Sequence, residues 1–240
     1  MYTLKFWHRL YLSSYKIVAT ICLLFLCNHS FAQGYNMLED DDRLYYFGIT
    51  AGFNNSQYRI FHSDNFIQND SIMEVTPKWS AGFQVGINSN LKLTNHLAAR
   101  LTPQFVLTQK NIFYNLTYKP DTTIIIESIM MHLPLSLKLN SDRIGNFRFY
   151  TFAGGKFDYD FNSNTRSRRN DEVLKIKPID FGYDVGVGFD FYYPNFIFSP
   201  ELKISNGFGN IQKKDVGIPT SKVLDVINTR MIFLSFTIGG

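Results

Sequence analysis

Cysteine is almost absent from this chain of 240 residues. The only two cysteines, Cys22 and Cys27, lie before residue 33. If that segment is removed on export, the remaining chain can form no disulfide, even in an oxidising compartment. Its stability must therefore come from another source.

Long apolar runs and basic clusters are also missing. After residue 32, no stretch approaches the roughly 20 apolar residues that a membrane-spanning helix requires. Helical membrane spans are thereby excluded. The same part of the chain holds 21 basic and 20 acidic residues, so its charge gives no reason to expect nucleic acid as a partner.

The first 32 residues have the layout of a secretory signal peptide. Three basic residues precede an apolar run over 17–27, and two small residues follow it at the positions that a signal peptidase reads. These are Lys5, Arg9 and Lys16 before the run, and Ser30 and Ala32 after it. We expect a signal peptide over 1–32, with cleavage after Ala32.

Two other interpretations of this segment are weaker. A retained membrane anchor would have to cross about 30 Å of hydrocarbon, and a helix over 17–27 is too short for that. A lipoprotein signal needs small residues before its cysteine, whereas bulky Phe25 and Leu26 precede Cys27.

Strict two-residue alternation recurs after the leader, the period at which a strand sends its side chains to opposite faces. It is clearest over 179–193, where odd positions are apolar or aromatic and most even positions are Gly or Asp. The same period predicts eight strands. They cover 44 to about 54, 78–88, 96–109, 128–139, 147–160, 179–193, 196–208 and 232–238.

The predicted connectors differ in length on the two sides. Longer ones (54–77, 110–124, 162–178, 209–227) alternate with short ones (89–95, 140–146 and the turn at Pro194 and Asn195). This is typical of outer-membrane barrels, which have short periplasmic turns, longer extracellular loops and periplasmic termini. We therefore predict an eight-stranded antiparallel transmembrane β-barrel over 44–240, in contact with outer-membrane lipid, after a short periplasmic segment over 33–43.

A soluble lipocalin-type barrel shows the same period with its apolar face inward. Side-chain size favours the membrane barrel, because a narrow lumen needs small residues on the polar face, and aromatic residues end the apolar face as in interfacial girdles. The small residues are Gly82, Gly86, Gly182, Gly186 and Gly188, and the aromatic ones are Trp79, Phe147, Tyr193, Phe196 and Phe208.

Charged residues on the polar face must find one another inside so narrow a barrel. If the fifth and sixth strands pair antiparallel, Arg148 lies near Asp190 and Lys156 lies diagonally near Asp180 and Asp184. Lys203 on the seventh strand can also approach Asp184. The network is either a proton or ion path or a set of ion pairs that fills the lumen. The second interpretation is favoured, and no conducting pore is expected.

Catalytic and metal-binding signals are weak. His62, His96 and His132 lack the spacing of metal ligands. His62, Ser63 and Asp64 suggest a lipid-modifying enzyme, but adjacent residues on an extended chain point apart and do not assemble a triad. We therefore predict no enzyme, no cofactor and no small-molecule substrate.

Two polar segments are candidate contact loops. The first contains His62, Ser63, Asp64, Phe66, Asn69 and Asp70. The other carries Arg166, Arg168 and Arg169, followed by acidic and basic residues, and could meet anionic lipopolysaccharide or a protein partner. A solvated charged loop is the simpler interpretation of the second segment.

Three segments resemble the PorT family of outer-membrane barrels. They are HSDNFIQNDSI at 62–72, SIMMHLPLSLKL at 128–139 and KIKPIDFGYDVGVGFDFYYPNFIFSPELKISNG at 175–207. The resemblance implies a component of the type IX secretion system, which moves folded cargo across the outer membrane and is linked to gliding motility. It brings no catalytic residues. The ending at Ile238, Gly239 and Gly240 departs from the terminal aromatic common in outer-membrane barrels.

The expected function is therefore a non-enzymatic barrel that contacts other secretion components. A general barrel for adhesion or envelope stability is the alternative, and a lipid-modifying barrel enzyme is a weaker one.

Overall fold

A computed structural model describes residues 36–37, 43–62, 72–116, 122–162, 177–211 and 224–240. Antiparallel strands make up most of these residues. No helix among them has the length and apolar character needed to cross a membrane.

Ten strands are described. They are β1 (Tyr45–His62), β2 (Ile72–Lys78), β3 (Ser80–Lys92), β4 (Leu97–Leu101), β5 (Gln104–Leu116), β6 (Thr122–Asn140), β7 (Phe147–Asp160), β8 (Ile179–Tyr192), β9 (Ile197–Gly207) and β10 (Leu224–Gly239).

The strands close into a ring. β1 pairs antiparallel with β10, from Gly48 opposite Gly239 to Ile60 opposite Ile227, and with β3 on its other side. β6, β7, β8, β9 and β10 follow one another in chain order, and β4 and β5 join β3 to β6. Because the ring is closed, the backbone groups along each strand have hydrogen-bond partners within the sheet. A chain in lipid requires such partners.

Two pairs of consecutive strands each form one passage of the chain along the barrel wall, broken by a short interruption. β2 and β3 are separated only by Trp79, and β4 and β5 only by 102–103. Pro103 has no N–H to donate, but its carbonyl accepts a hydrogen bond from the Ile87 amide at 3.0 Å, and the Thr102 amide donates to the Pro134 carbonyl at 3.2 Å. The ring therefore has eight passages, which confirms the predicted eight-stranded antiparallel barrel.

Several strands are longer than the alternation predicts. β1 continues to His62 instead of ending near Asn54, and β10 begins at Leu224 instead of after residue 227. The alternation stops early because the outward residues Asn55, Gln57 and Arg59 are polar, whereas backbone pairing with β10 does not depend on hydropathy. The predicted connectors 54–77 and 209–227 shrink accordingly.

The connectors differ between the two ends of the barrel. At the end that holds Tyr45 and Gly239, here called the turn end, strands are joined by 93–96, 141–146 and 193–196. The opposite, loop end has the longer connectors 63–71, 161–178 and 208–223. Its fourth connector, 117–121, is as short as the turns, because β5 and β6 stay paired up to Tyr114 and Thr122. The predicted connector 110–124 is therefore wrong.

Apolar side chains face outward and polar ones face the lumen. Along β8, burial alternates strictly, with Phe181 59% exposed and its lumen-side neighbours Asp180 and Asp184 buried. Trp79, Tyr193, Phe196 and Phe208 are exposed toward the ends of this apolar face, and Tyr193 stacks on Phe196 with 4.8 Å between ring centroids. An outward apolar face excludes the lipocalin-type arrangement.

Glycines on the lumen face make room for bulky side chains on the next strand. Tyr150 lies opposite Gly188 and Phe152 opposite Gly186. A β-carbon at either glycine would overlap the facing aromatic ring. Two of the small residues predicted from the sequence thus accommodate aromatic rings inside the barrel.

The adjacent glycines Gly154 and Gly155 provide a test of this packing. A β-carbon at Gly154 would overlap the Leu135 carbonyl oxygen, whereas one at Gly155 has only the Gly182 oxygen near it, at 3.9 Å. We expect Gly154→Ala to lower the free energy of unfolding by about 1–3 kcal/mol, the usual cost of overpacking. Gly155→Ala should be neutral in the same urea titration of detergent-folded barrel. Equal effects of the two substitutions would contradict the packing.

Candidate functional site: the polar lumen

The lumen gathers the charged residues of the barrel. All six residues predicted for the network lie on lumen-facing positions of β7, β8 and β9. Lys156, Asp180, Asp184, Asp190 and Lys203 are buried, and Arg148 is half-buried near the turn end. Because charges buried without partners are costly, their contacts decide what the lumen can do.

His132 occupies the centre of a buried group, here called the central cluster: His132, Lys156, Asp158, Asp184 and Lys203. Its Nδ1 lies 2.5 Å from Asp158 Oδ1, and its Nε2 lies 2.9 Å from Asp184 Oδ2. The imidazole is fully buried. Both ring nitrogens are therefore engaged by carboxylates from the two strands that follow β6.

Two lysines complete the central cluster. Lys156 Nζ donates to Asp158 Oδ2 at 2.6 Å, and Lys203 Nζ lies 3.3 Å from Asp184 Oδ2 and 3.1 Å from His132 Nε2. Each carboxylate thus touches one ammonium and the imidazole. The two carboxylates are thus matched in number by two lysines within contact distance.

A second group of charges lies nearer the turn end. Arg100 donates to Glu201 across the lumen, with 2.6 Å between Nη1 and Oε2, and the Tyr150 hydroxyl reaches the same carboxylate at 3.2 Å. Lys138 Nζ donates to Asp190 Oδ2 at 2.8 Å. The Arg100 guanidinium also stacks over the Phe152 ring at 3.9 Å from its centroid, a cation–π contact that fills the interior.

The structure brings the predicted charged residues close to one another and adds hydrogen-bond partners that the sequence did not predict. Lys203 and Asp184 are in contact. Arg148 stands opposite Asp190 in the register, as predicted, and the Asp190 carboxylate accepts hydrogen bonds from Lys138 at 2.8 Å and from Ser199 at 2.6 Å. Lys156 stands opposite Gly182 and so lies diagonally between Asp180 and Asp184, as predicted; its ammonium donates a hydrogen bond to Asp158, two residues away on the same strand.

An apolar layer adjoins the central cluster. Val106, Met130, Met231 and Phe233 are buried together inside the barrel. Phe233 contacts the cluster directly, with its ring centroid 5.4 Å from that of His132 and 4.4 Å from Lys203 Nζ. Charged and apolar side chains together fill this level of the lumen.

Sequence reasoning left out the residue at the centre of the network. His132, Arg100, Lys138 and Glu201 all lie on polar faces of predicted strands. One signal was available, because antiparallel pairing of β6 and β7 sets His132 opposite Asp158. The Arg100–Glu201 contact had no such signal, since β4 and β9 are not neighbours in the ring.

The turn end is tied down by the residues that precede β1. The Asn36 amide donates to Asn146 Oδ1 at 2.8 Å, and its side-chain amide donates to the Tyr192 carbonyl at 3.0 Å. Arg143 donates to the Asn36 carbonyl and stacks over the Tyr192 ring at 3.7 Å. A cavity of about 250 Å³ opens beside this anchor. Its charged lining residues are Arg43, Lys92, Lys138, Arg148 and Asp190.

The candidate contact loop falls largely outside the described residues. His62 ends β1, and Ser63, Asp64, Phe66, Asn69 and Asp70 lie outside the described ranges, as do Arg166, Arg168 and Arg169 of the other loop. Within those ranges, no group of three or more histidine, cysteine or carboxylate side chains is arranged to hold a metal ion.

Comparison with known proteins places these features in context. The model of a family described as "Outer membrane protein beta-barrel domain" matches residues 31–213. No curated protein is similar enough to count as a relative.

Three similar solved structures are small outer-membrane or surface proteins. OprG from Pseudomonas aeruginosa is 14% identical, with 86% of this chain and 95% of that chain covered and a TM-score of 0.48. Neisserial surface protein A is 14% identical, with 82% and 96% covered and a TM-score of 0.44. The attachment invasion locus protein Ail of Yersinia pestis is 11% identical, with 82% and 100% covered and a TM-score of 0.38.

Removing the central imidazole should weaken the barrel strongly. His132→Ala takes one partner from two buried carboxylates, and we expect a loss of about 3 kcal/mol in the free energy of unfolding. His96 is the matched control, because its side chain is 62% exposed and lies 3.9 Å from exposed Asp142. His96→Ala should cost less than about 0.5 kcal/mol. If the two variants unfold at the same urea concentration, His132 is not the centre of the network.

Proposed function

Because the chain belongs to the family of outer membrane protein β-barrel domains, we propose that this barrel is a non-enzymatic component of a type IX secretion system. The resemblance of segments 62–72, 128–139 and 175–207 to the PorT family supports this role. As in other outer-membrane barrels, the turn end then faces the periplasm and the loop end the cell exterior.

The filled lumen is the observation that carries the proposed mode of action. Arg100 and Glu201 meet across the interior at 2.6 Å, and the central cluster packs against Phe233. An eight-stranded barrel has room for side chains and not for a folded protein. The barrel therefore acts as a scaffold beside the route of the cargo.

Its partners bind at one or both rims. The loop 62–72 is one candidate contact region. The turn end is another, because Asn36 and Arg143 anchor the preceding chain there, and basic residues line the adjoining cavity. An acidic surface on a periplasmic component is the complementary chemistry.

The same proposal includes that the barrel is not an enzyme. His132 is the histidine with two carboxylate partners, but its ring is buried and both ring nitrogens are already engaged. A lipid substrate on the outer face of the barrel cannot reach it. The lumen network serves stability.

Deleting the gene and assaying cargo export tests the role. We expect type IX cargo to remain in the cells of the deletion strain and to reach the medium again when the full-length chain is restored. In a second strain, Gly and Ser residues replace loop 62–72 of the restored chain without changing its length. In a control strain, the segment 117–121 is replaced in the same way.

The outcomes test the secretion role separately from the position of the region that contacts partners. Normal export in the deletion strain would contradict the secretion role. If the loop 62–72 variant reaches wild-type abundance in the outer membrane but loses export and co-purifying proteins, while the 117–121 variant keeps both, the loop is the contact region. Export in both variants would assign the contact to the turn end.

A further inference from the structure

We infer that a small cavity near the loop end of the lumen is a binding site for one buried water molecule, which joins Lys110 on β5 to Asp180 on β8 as a water-mediated ion pair. The two strands are not neighbours in the ring, so the water links two walls of the barrel. The inference rests on contacts inside the lumen and does not depend on the secretion role.

The cavity has the size and the polarity that a buried water requires. Its volume is about 20 Å³, which is room for about one water molecule. Carboxylates, ammonium groups and hydroxyls line it together with apolar side chains. The described lining residues are Tyr58, Lys110, Met130, Asp158, Asp160, Lys177, Pro178, Asp180, Ile211 and Thr229.

Hydrogen-bonded backbone covers the cavity on its loop side. Ile211 is only 4% exposed. Its carbonyl accepts from the Lys177 amide at 2.7 Å, and its amide donates to the Ile227 carbonyl at 3.0 Å. The Pro178 carbonyl accepts from the Asp160 amide at 2.7 Å. These bonds hold two apolar lining residues over the polar groups below them.

Two of the three carboxylates in the cavity already have donors. Asp158 accepts from Lys156 at 2.6 Å and belongs to the central cluster. Asp160 accepts from the Asn162 amide at 2.9 Å and from the Ser128 hydroxyl. Neither carboxylate therefore needs a further donor.

Asp180 is the carboxylate that lacks a donor. It is 7% exposed, and neither of its carboxylate oxygens has a hydrogen-bond partner among the described residues. It stands opposite Asp158 in the register, an unfavourable position for two like charges. A β-carbon at Gly207 would overlap its carboxylate, so the group is held against β9. Burying such a group without a donor is costly.

Lys110 is the matching cation. The other lysine of the cavity, Lys177, donates through Nζ to the Asn210 carbonyl at 3.0 Å. Lys110 is 2% exposed, and among the described residues its ammonium forms no hydrogen bond or ion pair and lies 5.2 Å from the centroid of the Tyr58 ring. One donor group without an acceptor and one acceptor group without a donor thus line the same small cavity.

Water is the occupant that fits both groups. It accepts a hydrogen bond from the ammonium and donates one to the carboxylate, which is nearly as favourable as a direct bond. A metal cation would be repelled by Lys110, and an anion would be repelled by the three carboxylates. The hydroxyls of Tyr58 and Thr229 line the same cavity and offer the further polar partners that buried water usually has.

A crystal structure of the full-length barrel, at a resolution that shows ordered water, tests the site directly. We expect a peak of electron density within hydrogen-bond distance of both Lys110 Nζ and a carboxylate oxygen of Asp180. A second crystal soaked in rubidium chloride should show no anomalous signal at this position, because the occupant is water and not a monovalent cation.

A double-mutant cycle in urea tests the link between the two charges. Lys110→Met and Asp180→Asn each leave one buried charge without its partner, and each should raise the equilibrium constant of unfolding roughly tenfold or more. The double variant should raise it by much less than the product of the two single effects, because no unpaired charge remains. Asp142 is the control partner, since its side chain is 91% exposed at the turn end. Lys110→Met with Asp142→Asn should give the product of its single effects.

Three results would overturn the inference. The first is a crystal structure in which Lys110 Nζ contacts Asp180 directly, or in which no density lies between them. The second is an anomalous rubidium peak, which would make the cavity a cation site. The third is a Lys110 and Asp180 double variant whose effect equals the product of the single effects. If a variant does not fold, the structure of the unmodified barrel still decides the question.

Discussion

The narrow interior of the eight-stranded ring determines which side chains the lumen can hold and which of them are in contact. Its interior is only as wide as the side chains that fill it, so inward residues from opposite walls touch. Arg100 on β4 reaches Glu201 on β9, and Lys203 on β9 reaches His132 on β6. Some aromatic rings fit because the neighbouring strand carries glycine, as Gly186 does beside Phe152. Each charge that enters this space needs a partner, and the partners come from several strands.

The same closure accounts for the stability of the described residues, none of which is a cysteine. Every passage of the ring has two hydrogen-bonded neighbours among the described strands, so backbone groups are satisfied within the sheet. The outer face can then be apolar, with lipid as its solvent. The inside is held by ion pairs and by the apolar layer around Phe233. Removing one member of a buried pair is costly because its partner remains charged and out of water.

Alternation in the sequence predicts the passages and their faces well. The predicted strand 179–193 coincides with β8 except for one residue, because apolar and small residues alternate along its whole length. The end of β1 could not be predicted in this way. Beyond Phe53 the strand leaves the hydrocarbon, its outward residues become polar, and only the ladder with β10 continues.

Contacts across the lumen were harder to predict than contacts along the sheet. The pairing of β6 with β7 sets His132 opposite Asp158, which a register argument can find. The contact of His132 with Asp184, two strands away, depends on the barrel radius and on side-chain conformation. The register also places Lys156 diagonally near Asp180 and Asp184, whereas its hydrogen bond to Asp158 on the same strand depends on side-chain conformation.

The central claim is that the lumen is closed and that the barrel works as a scaffold. Electrical recording of the purified full-length protein in planar bilayers, beside a known porin in the same bilayers, tests it most directly. The account predicts a flat baseline for this protein under conditions in which the porin opens. Stable, reproducible openings of a single size would show a continuous aqueous path past His132 and Phe233 and would contradict the account.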